Sequence, residues 1–318
     1  MNLAGLRALV VGGAGNIGSH VVDALVRENA QVTVYDSLAR GHLHNLQDAR
    51  ELADIPIVDG DVGDRTKLQT ACEGMDVVFH LAAAWLLQAT QSPRVALDVN
   101  VVGTYNVLEA AAAAKVKKVV FSSAGAVYGD PRYVPIDENH PLDANTAYGA
   151  SKSAGEKFCE AFYQMYGLNY IALRYWNVYG PRADVVGSVA SVLPRWLDRL
   201  ERGEAIEIYD DGLQTMDFIY VTEVARANLL ACQSTATHEV VNVGSGIETT
   251  ANELADLLLR MTGSQEAPIR RPEIRTHVRR RCADTRKAEH LLQFRSQVAL
   301  QDGLSALLEW RRVQSLSR

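Results

Sequence analysis

The sequence predicts an α/β protein: a Rossmann-type doubly wound parallel sheet with a smaller C-terminal substrate-binding region. Three observations carry that expectation. Short apolar runs recur along the chain at residues 6–11, 31–35, 76–81, 117–121, 169–174 and 238–243. Between them lie stretches such as VVDALVREN, NVLEAAAAAK and GEKFCEAFYQMY, whose apolar residues are spaced as on helices. Such alternation argues for a parallel sheet covered by helices on both faces. The first run also ends in GGAGNIG, a turn of glycines that leads directly into the first helical stretch.

In that turn Gly12, Gly15 and Gly18 stand three apart. Glycines so placed let the chain turn tightly, bring backbone close to a pyrophosphate and pack a helix on a strand. The helix start offers free N–H groups and a partial positive charge. The second run ends in Asp36, 18 residues past Gly18, where a carboxylate reaches a ribose hydroxyl. A glycine-rich turn with a chance aspartate is the bland alternative, and the agreement of spacing outweighs it. Because an acidic group there repels a 2′-phosphate, NAD is favoured over NADP. Arg40 keeps NADP open, since a nearby arginine accommodates that phosphate.

Composition sets limits. The 318 residues are 47% apolar and 22% charged, ordinary for a globular protein with a large core. A net charge of −6 gives no general pull toward nucleic acid or an anionic membrane, so neither is expected as a partner. Cys72, Cys159, Cys232 and Cys282 are far apart and form no CxxC pair. Reduced thiols in a cytoplasmic setting are expected, with no disulfide and no metal site. The apolar run after Arg7 is too short for a signal peptide or a membrane span. After residue 176 the rhythm weakens, and turn residues collect in NVYGPR, DDGLQT and APIRRPEIRTHVRRR. The expected division is a dinucleotide-binding domain over 1–176, its sheet completed by about 217–243, with 177–216 and 244–318 forming the substrate region.

Two stretches suggest chemistry. In TAYGASKSAGEKF, Tyr148 and Lys152 stand four apart, the only YxxxK in the chain, and share a helix face. An ammonium beside a phenol favours phenolate. A tyrosine base at pH 7 needs a fall of about 3 units from its ordinary value. A solvated helix face is the alternative reading. The other stretch is VVFSSAGAVYG (119–129), where an apolar run stops at Ser122 and Ser123 and is followed by Ala124, Gly125 and Ala126. Serines there are either a strand-end turn or hydroxyls held at the carboxyl edge of the sheet, where open α/β folds place ligands.

GGAGNIG, Asp36, GDVGD (60–64), FHLAA (79–83), DVNVVGTYNVLEA (98–110), FSSAGAVYG and YGASK together resemble the extended short-chain dehydrogenase/reductases. LRYWNVYGPR (173–182), DFIYVTEVARA (217–227) and VNVGSGIETT (241–250) carry the likeness onward, closest to nucleotide-sugar epimerases of the UDP-glucose 4-epimerase type. The resemblance implies NAD as cofactor, a UDP-linked sugar as substrate and a homodimer built on helices near 94–114 and 148–166. It implies Asn16 and Ile17 at the pyrophosphate, Asp36 at the ribose, Asp61 and Val62 at the adenine, and Leu81, Ala82, Ala83 and Asn100 along the cofactor. Tyr148 and Lys152 match the catalytic base and its partner, and Trp176 a residue beside the nicotinamide. Asn177 matches a residue that holds the sugar nucleotide, and Tyr209 lies where the family stacks uracil. The bland readings are core packing for Trp176 and a surface aromatic for Tyr209.

The chain also departs from the pattern. The family's usual hydroxyl beside the tyrosine falls at Ala124, so Ser123 is expected to replace it. Ala124-Gly125-Ala126 lacks the acidic residues of dehydratase and decarboxylase relatives, which lowers net dehydration, decarboxylation or reduction as alternatives. Met216 stands where the family has a phosphate-binding arginine. Six arginines fall between 270 and 281. Among them Arg279 is the expected diphosphate ligand, with Arg271 and Arg275 as alternatives. Ala124 and Met216 also motivate a different class of reading, a NAD-binding regulatory protein without catalysis, against which the Tyr148–Lys152 pair argues.

Overall fold

Arg7–Val11 (β1) is the strand around which the sheet is arranged. A computed structural model describes residues 1–183, 192–272 and 279–316. Gln31–Asp36 (β2), Ile57–Asp59 (β3), Val77–His80 (β4), Lys118–Ala124 (β5), Tyr170–Tyr175 (β6) and Glu239–Val243 (β7) join β1 in one seven-stranded sheet, ordered β7-β6-β5-β4-β1-β2-β3. Every neighbouring pair is parallel. The expected doubly wound sheet is therefore present. Six strands coincide with the apolar runs. The seventh, β3, is three residues long and half exposed at the sheet edge, so it writes no run into the sequence.

Alternation along each strand divides the core in two. Val10, Val34, Phe79 and Val120 pack against Asn16–Arg27 (α1) and Val221–Gln233 (α5), through Val21, Leu25, Val224 and Leu229. Leu9, Val78, Val119 and Phe121 pack on the other face against Arg65–Cys72 (α2), Thr104–Ala113 (α3) and Ala147–Tyr166 (α4), through Leu68, Leu108, Cys159 and Phe162. With both faces covered, the strands read as continuous apolar stretches. A third cluster, with Trp196, Ile206, Leu254 and Leu304, gathers the helices Val192–Glu201, Ala251–Thr262 and Leu300–Leu316. Among the described residues no helix is long and apolar enough to cross a membrane.

Caps fix the helices that matter for the site. α4 begins where the Thr146 side chain accepts from the Gly149 N–H at 3.0 Å and ends at Gly167 in the left-handed region. α1 begins at Gly15 with no side-chain cap, so its first turn keeps free donors. Gly12 has φ +84°, and a Cβ there would stand 2.5 Å from the Ala82 nitrogen. A Cβ on Gly18 would run into the Gly12 carbonyl. Gly18→Ala is thus expected to push α1 off the turn and cost about 1–3 kcal/mol. Urea denaturation of the variant beside the wild type checks this.

Candidate active site

The carboxyl ends of β1, β2, β4 and β5 open on a cavity of about 630 Å3. It lies where the strand order reverses between β1 and β4, the place where open α/β sheets bind ligands. Gly12, Gly15, Asn16, Ile17 and Gly18 form one wall. Asn16 Oδ1 is buried there without a hydrogen-bond partner among the described residues. Asp36 closes the end of β2: its Oδ2 accepts from the Ala14 N–H and its Oδ1 from the Leu38 N–H, both at 2.9 Å. Each carboxylate oxygen has a second acceptor site, so the group remains able to take ribose hydroxyls. Arg40 lies over the Trp85 ring, 4.6 Å from its centroid. Asp61, Val62, Leu81, Ala82 and Ala83 continue the wall past β3 and β4.

Tyr148 and Lys152 stand at the far end of the same cavity, with Ser123, Trp176 and Asn177. Lys152 Nζ donates to the Ser122 carbonyl at 2.6 Å and lies 5.9 Å from the Tyr148 ring centroid. Burial pushes the Tyr148 phenol up to about 12. Burial also brings Lys152 down to about 8, with Glu156 pulling the other way. The direction at Tyr148 is opposite to the expected fall. Desolvation of the phenolate outweighs a lysine whose charge is directed at a backbone carbonyl.

Ser123 differs from expectation in its hydroxyl. Alternation along β5 turns Ser123 toward α4, where Oγ donates to Glu156 Oε1 at 2.5 Å. Arg174 binds the same carboxylate in a fork, with Nε to Oε1 at 2.8 Å and Nη2 to Oε2 at 2.7 Å. Its Nη1 donates to the Tyr128 hydroxyl, which donates to Asn242 Oδ1. Ser123 borders the cavity, but at 1% exposure its hydroxyl belongs to this buried network. Ser122 turns to the other face of the sheet, toward Tyr175, whose hydroxyl donates to Asn228 Oδ1 at 2.9 Å.

Three expected site residues lie outside the cavity wall. Asn100 is one layer behind: its Oδ1 accepts from the Ala84 N–H at 2.7 Å, and its Nδ2 donates to the Ala84 carbonyl and Ser151 Oγ, both at 2.9 Å. It binds the wall to α4 rather than lining it. Tyr209 has Arg195 5.7 Å above its ring and does not border the cavity. Arg279 is exposed and paired with Asp210 and Asp211, and Arg271 is paired with Glu207. Arg275 lies outside the described residues. Of the described arginines of this run, the one that lines the cavity is Arg281. Its signal in the sequence is its place directly before Cys282 and Ala283, both buried.

A sheet that seats a dinucleotide beside a tyrosine and a lysine is the ground plan of the extended short-chain dehydrogenase/reductases. The chain belongs, within them, to the NAD dependent epimerase/dehydratase family, whose model matches residues 8–244. A UDP-glucose 4-epimerase of Mycolicibacterium smegmatis is 34% identical over 98% of this chain and 100% of its own. The crystal structure of the Thermotoga maritima UDP-glucose 4-epimerase with UDP-glucose matches with a TM-score of 0.91 at 37% identity, covering 98% of this chain and 100% of that one. A UDP-N-acetylglucosamine 4-epimerase from Methanobrevibacter ruminantium, in complex with UDP-N-acetylmuramic acid, matches with a TM-score of 0.92 at 32% identity over 98% of this chain and 99% of that one. NAD fits the cavity described here. The glycine turn brings backbone against the cavity with no side chain in the way, its close packing against Ala82 and within itself leaving no room for a Cβ on Gly12 or Gly18, and Asn16 Oδ1 has no partner among the described residues.

The Glu156 network makes a stability prediction. Ser123→Ala removes one hydrogen bond to a buried carboxylate and is expected to cost about 1.5–3 kcal/mol. Glu156→Ala strands the Arg174 charge and is expected to cost about 3–5 kcal/mol. Chemical denaturation with a common slope gives both values.

Proposed function

We propose that the protein interconverts the C4 epimers of a UDP-hexose through a transient 4-keto intermediate, with NAD as cofactor. The observation that carries the reading is the single cavity joining the glycine turn and Asp36 at one end to Tyr148 and Lys152 at the other. When bound, NAD supplies a hydride acceptor that returns the hydride and a positive ring that favours phenolate. Tyr148 takes the proton of the 4-hydroxyl and gives it back, acting directly, since the Ser123 hydroxyl faces Glu156. Lys152, anchored on the Ser122 carbonyl, holds its positive charge beside the phenol. Ala124, Gly125 and Ala126 leave room beside Tyr148 for the keto sugar to turn and offer its other face. Among the described lining residues the only carboxylates are Asp36 and Asp61, both at the β2–β3 end. Among the described lining residues no acid stands at the Tyr148 end to eliminate water or assist loss of carbon dioxide, which favours epimerisation over the dehydratase chemistry of the same family. Asn177 and Trp176 border the sugar end, and residues 184–191, also expected to shape the sugar pocket, lie outside the described residues.

We further read the protein as a cytoplasmic homodimer. All four cysteines are buried and unpaired. Leu97, Val102 and Tyr105 before and on α3, and Met165 and Tyr166 at the end of α4, are large apolar side chains left exposed.

The Tyr148→Phe variant is expected to fold and bind NAD while turnover falls by about 10²–10⁴-fold. Interconversion of UDP-glucose and UDP-galactose followed by NMR measures it; turnover near that of the wild type ends the assignment. Should the wild type itself turn over no UDP-sugar, the binding-protein reading replaces this one. Asp36→Ala is expected to weaken NAD binding by about 1–3 kcal/mol. Calorimetry in which the unaltered protein holds NADP more tightly than NAD would contradict that role.

A further inference from the structure

Three arginines in succession meet three different environments. Arg279 pairs with Asp210 and Asp211, and Arg280 pairs with Glu248 at 2.5 Å, all on the outside. Arg281 instead lines the cavity. Its backbone is held on both sides: the Arg281 N–H donates to Thr215 Oγ1 at 3.2 Å, and the Ala283 N–H donates to buried Asp217 Oδ2 at 3.1 Å. Its guanidinium makes no hydrogen bond and no ion pair among the described residues. Burial pushes its pKa down, and Asp130, the one acidic group acting against that, forms no ion pair with it. A cation held in a wall without a counter-charge is costly, and an arriving anion removes that cost.

The position says which part of a ligand it meets. Ala283 packs with Val127, Tyr128 and Trp176, the cluster that backs the Ala124–Ala126 segment. Arg281 therefore enters the cavity from the Trp176 side, the end that also holds Tyr148. We propose that Arg281 is the seat of a carboxylate carried by the sugar, so that a UDP-hexuronate is bound in preference to a neutral UDP-hexose. The planar fork of arginine matches a carboxylate with two parallel hydrogen bonds. The inference rests on the nucleotide-sugar reading above but not on turnover.

Calorimetry on NAD-saturated protein tests it, with UDP-glucuronic acid and UDP-glucose as probes. The wild type is expected to bind UDP-glucuronic acid about tenfold or more tightly than UDP-glucose. Arg281→Gln is expected to abolish that preference while leaving UDP-glucose affinity within about threefold, a factor too small for a lost charged contact. Arg281→Lys is expected to retain part of it. Equal weakening of both ligands would assign Arg281 to the diphosphate and overturn the proposal, as would a wild type without preference. Melting curves with NAD report whether the variants are folded; if Arg281→Gln is not, the wild-type preference and the lysine variant decide. UDP-glucuronic acid that binds with preference yet stays unchanged by NMR counts against the epimerase reading and leaves the carboxylate seat in place.

Discussion

The buried carboxylate of Glu156 joins the three elements on which the site is built. It sits on α4, accepts from Ser123 on β5 and is clamped by Arg174 on β6. Glu156 lies four residues past Lys152 and eight past Tyr148, so the helix face that carries this pair also carries its anchor. Taking a carboxylate and a guanidinium out of water costs several kcal/mol each, and only good geometry with further hydrogen bonds offsets it. Here both carboxylate oxygens and all three guanidinium nitrogens have partners. The arrangement fixes the rotation and height of α4 against the sheet more tightly than apolar contacts do, because a small slide would leave charges unpaired.

That anchorage sets the electrostatics above it. Tyr148 and Lys152 are held in a wall where burial disfavours both phenolate and ammonium, so each is displaced toward its neutral form. Glu156 opposes this at Lys152 and keeps a larger share of its charge. A tyrosine–lysine pair placed in this way responds to what enters the cavity. Positive charge brought near the phenol acts in a poorly solvated space, where it counts for more than in water.

Much of the fold was legible in the sequence because parallel strands buried on both faces must be continuously apolar. Six of the seven strands announce themselves so; Ile57–Asp59 does not, since an edge strand of three residues needs no such run. The glycine turn and Asp36 were legible because their spacing reflects backbone geometry. Side-chain direction was not. Ser123 and Asn100 stand at the expected places in the chain, yet their polar groups turn to Glu156 and to Ala84. Arg279 and Arg281 are two residues apart, and their opposite fates depend on Asp210, Asp211 and Asp217, which no local pattern reveals.

The order in which the sheet is assembled bears on how the chain is made. β7 lies at the sheet margin beside β6, yet it is encoded more than sixty residues later, after the helix Val192–Glu201 and α5. The Lys118 ammonium at the start of β5 is buried and donates to the carbonyls of Ala231, Ser234 and Ala236. While the chain emerges from the ribosome, β6 is a bare edge and Lys118 has none of these acceptors until residue 236 is free. The first 176 residues contain the glycine turn and the Tyr148–Lys152 pair but not the means to close their own sheet. A nascent or truncated chain of that length presents an unpaired apolar strand, the kind of edge that recruits other chains. The sheet is complete only once β7, encoded well after β6, has been added to that edge.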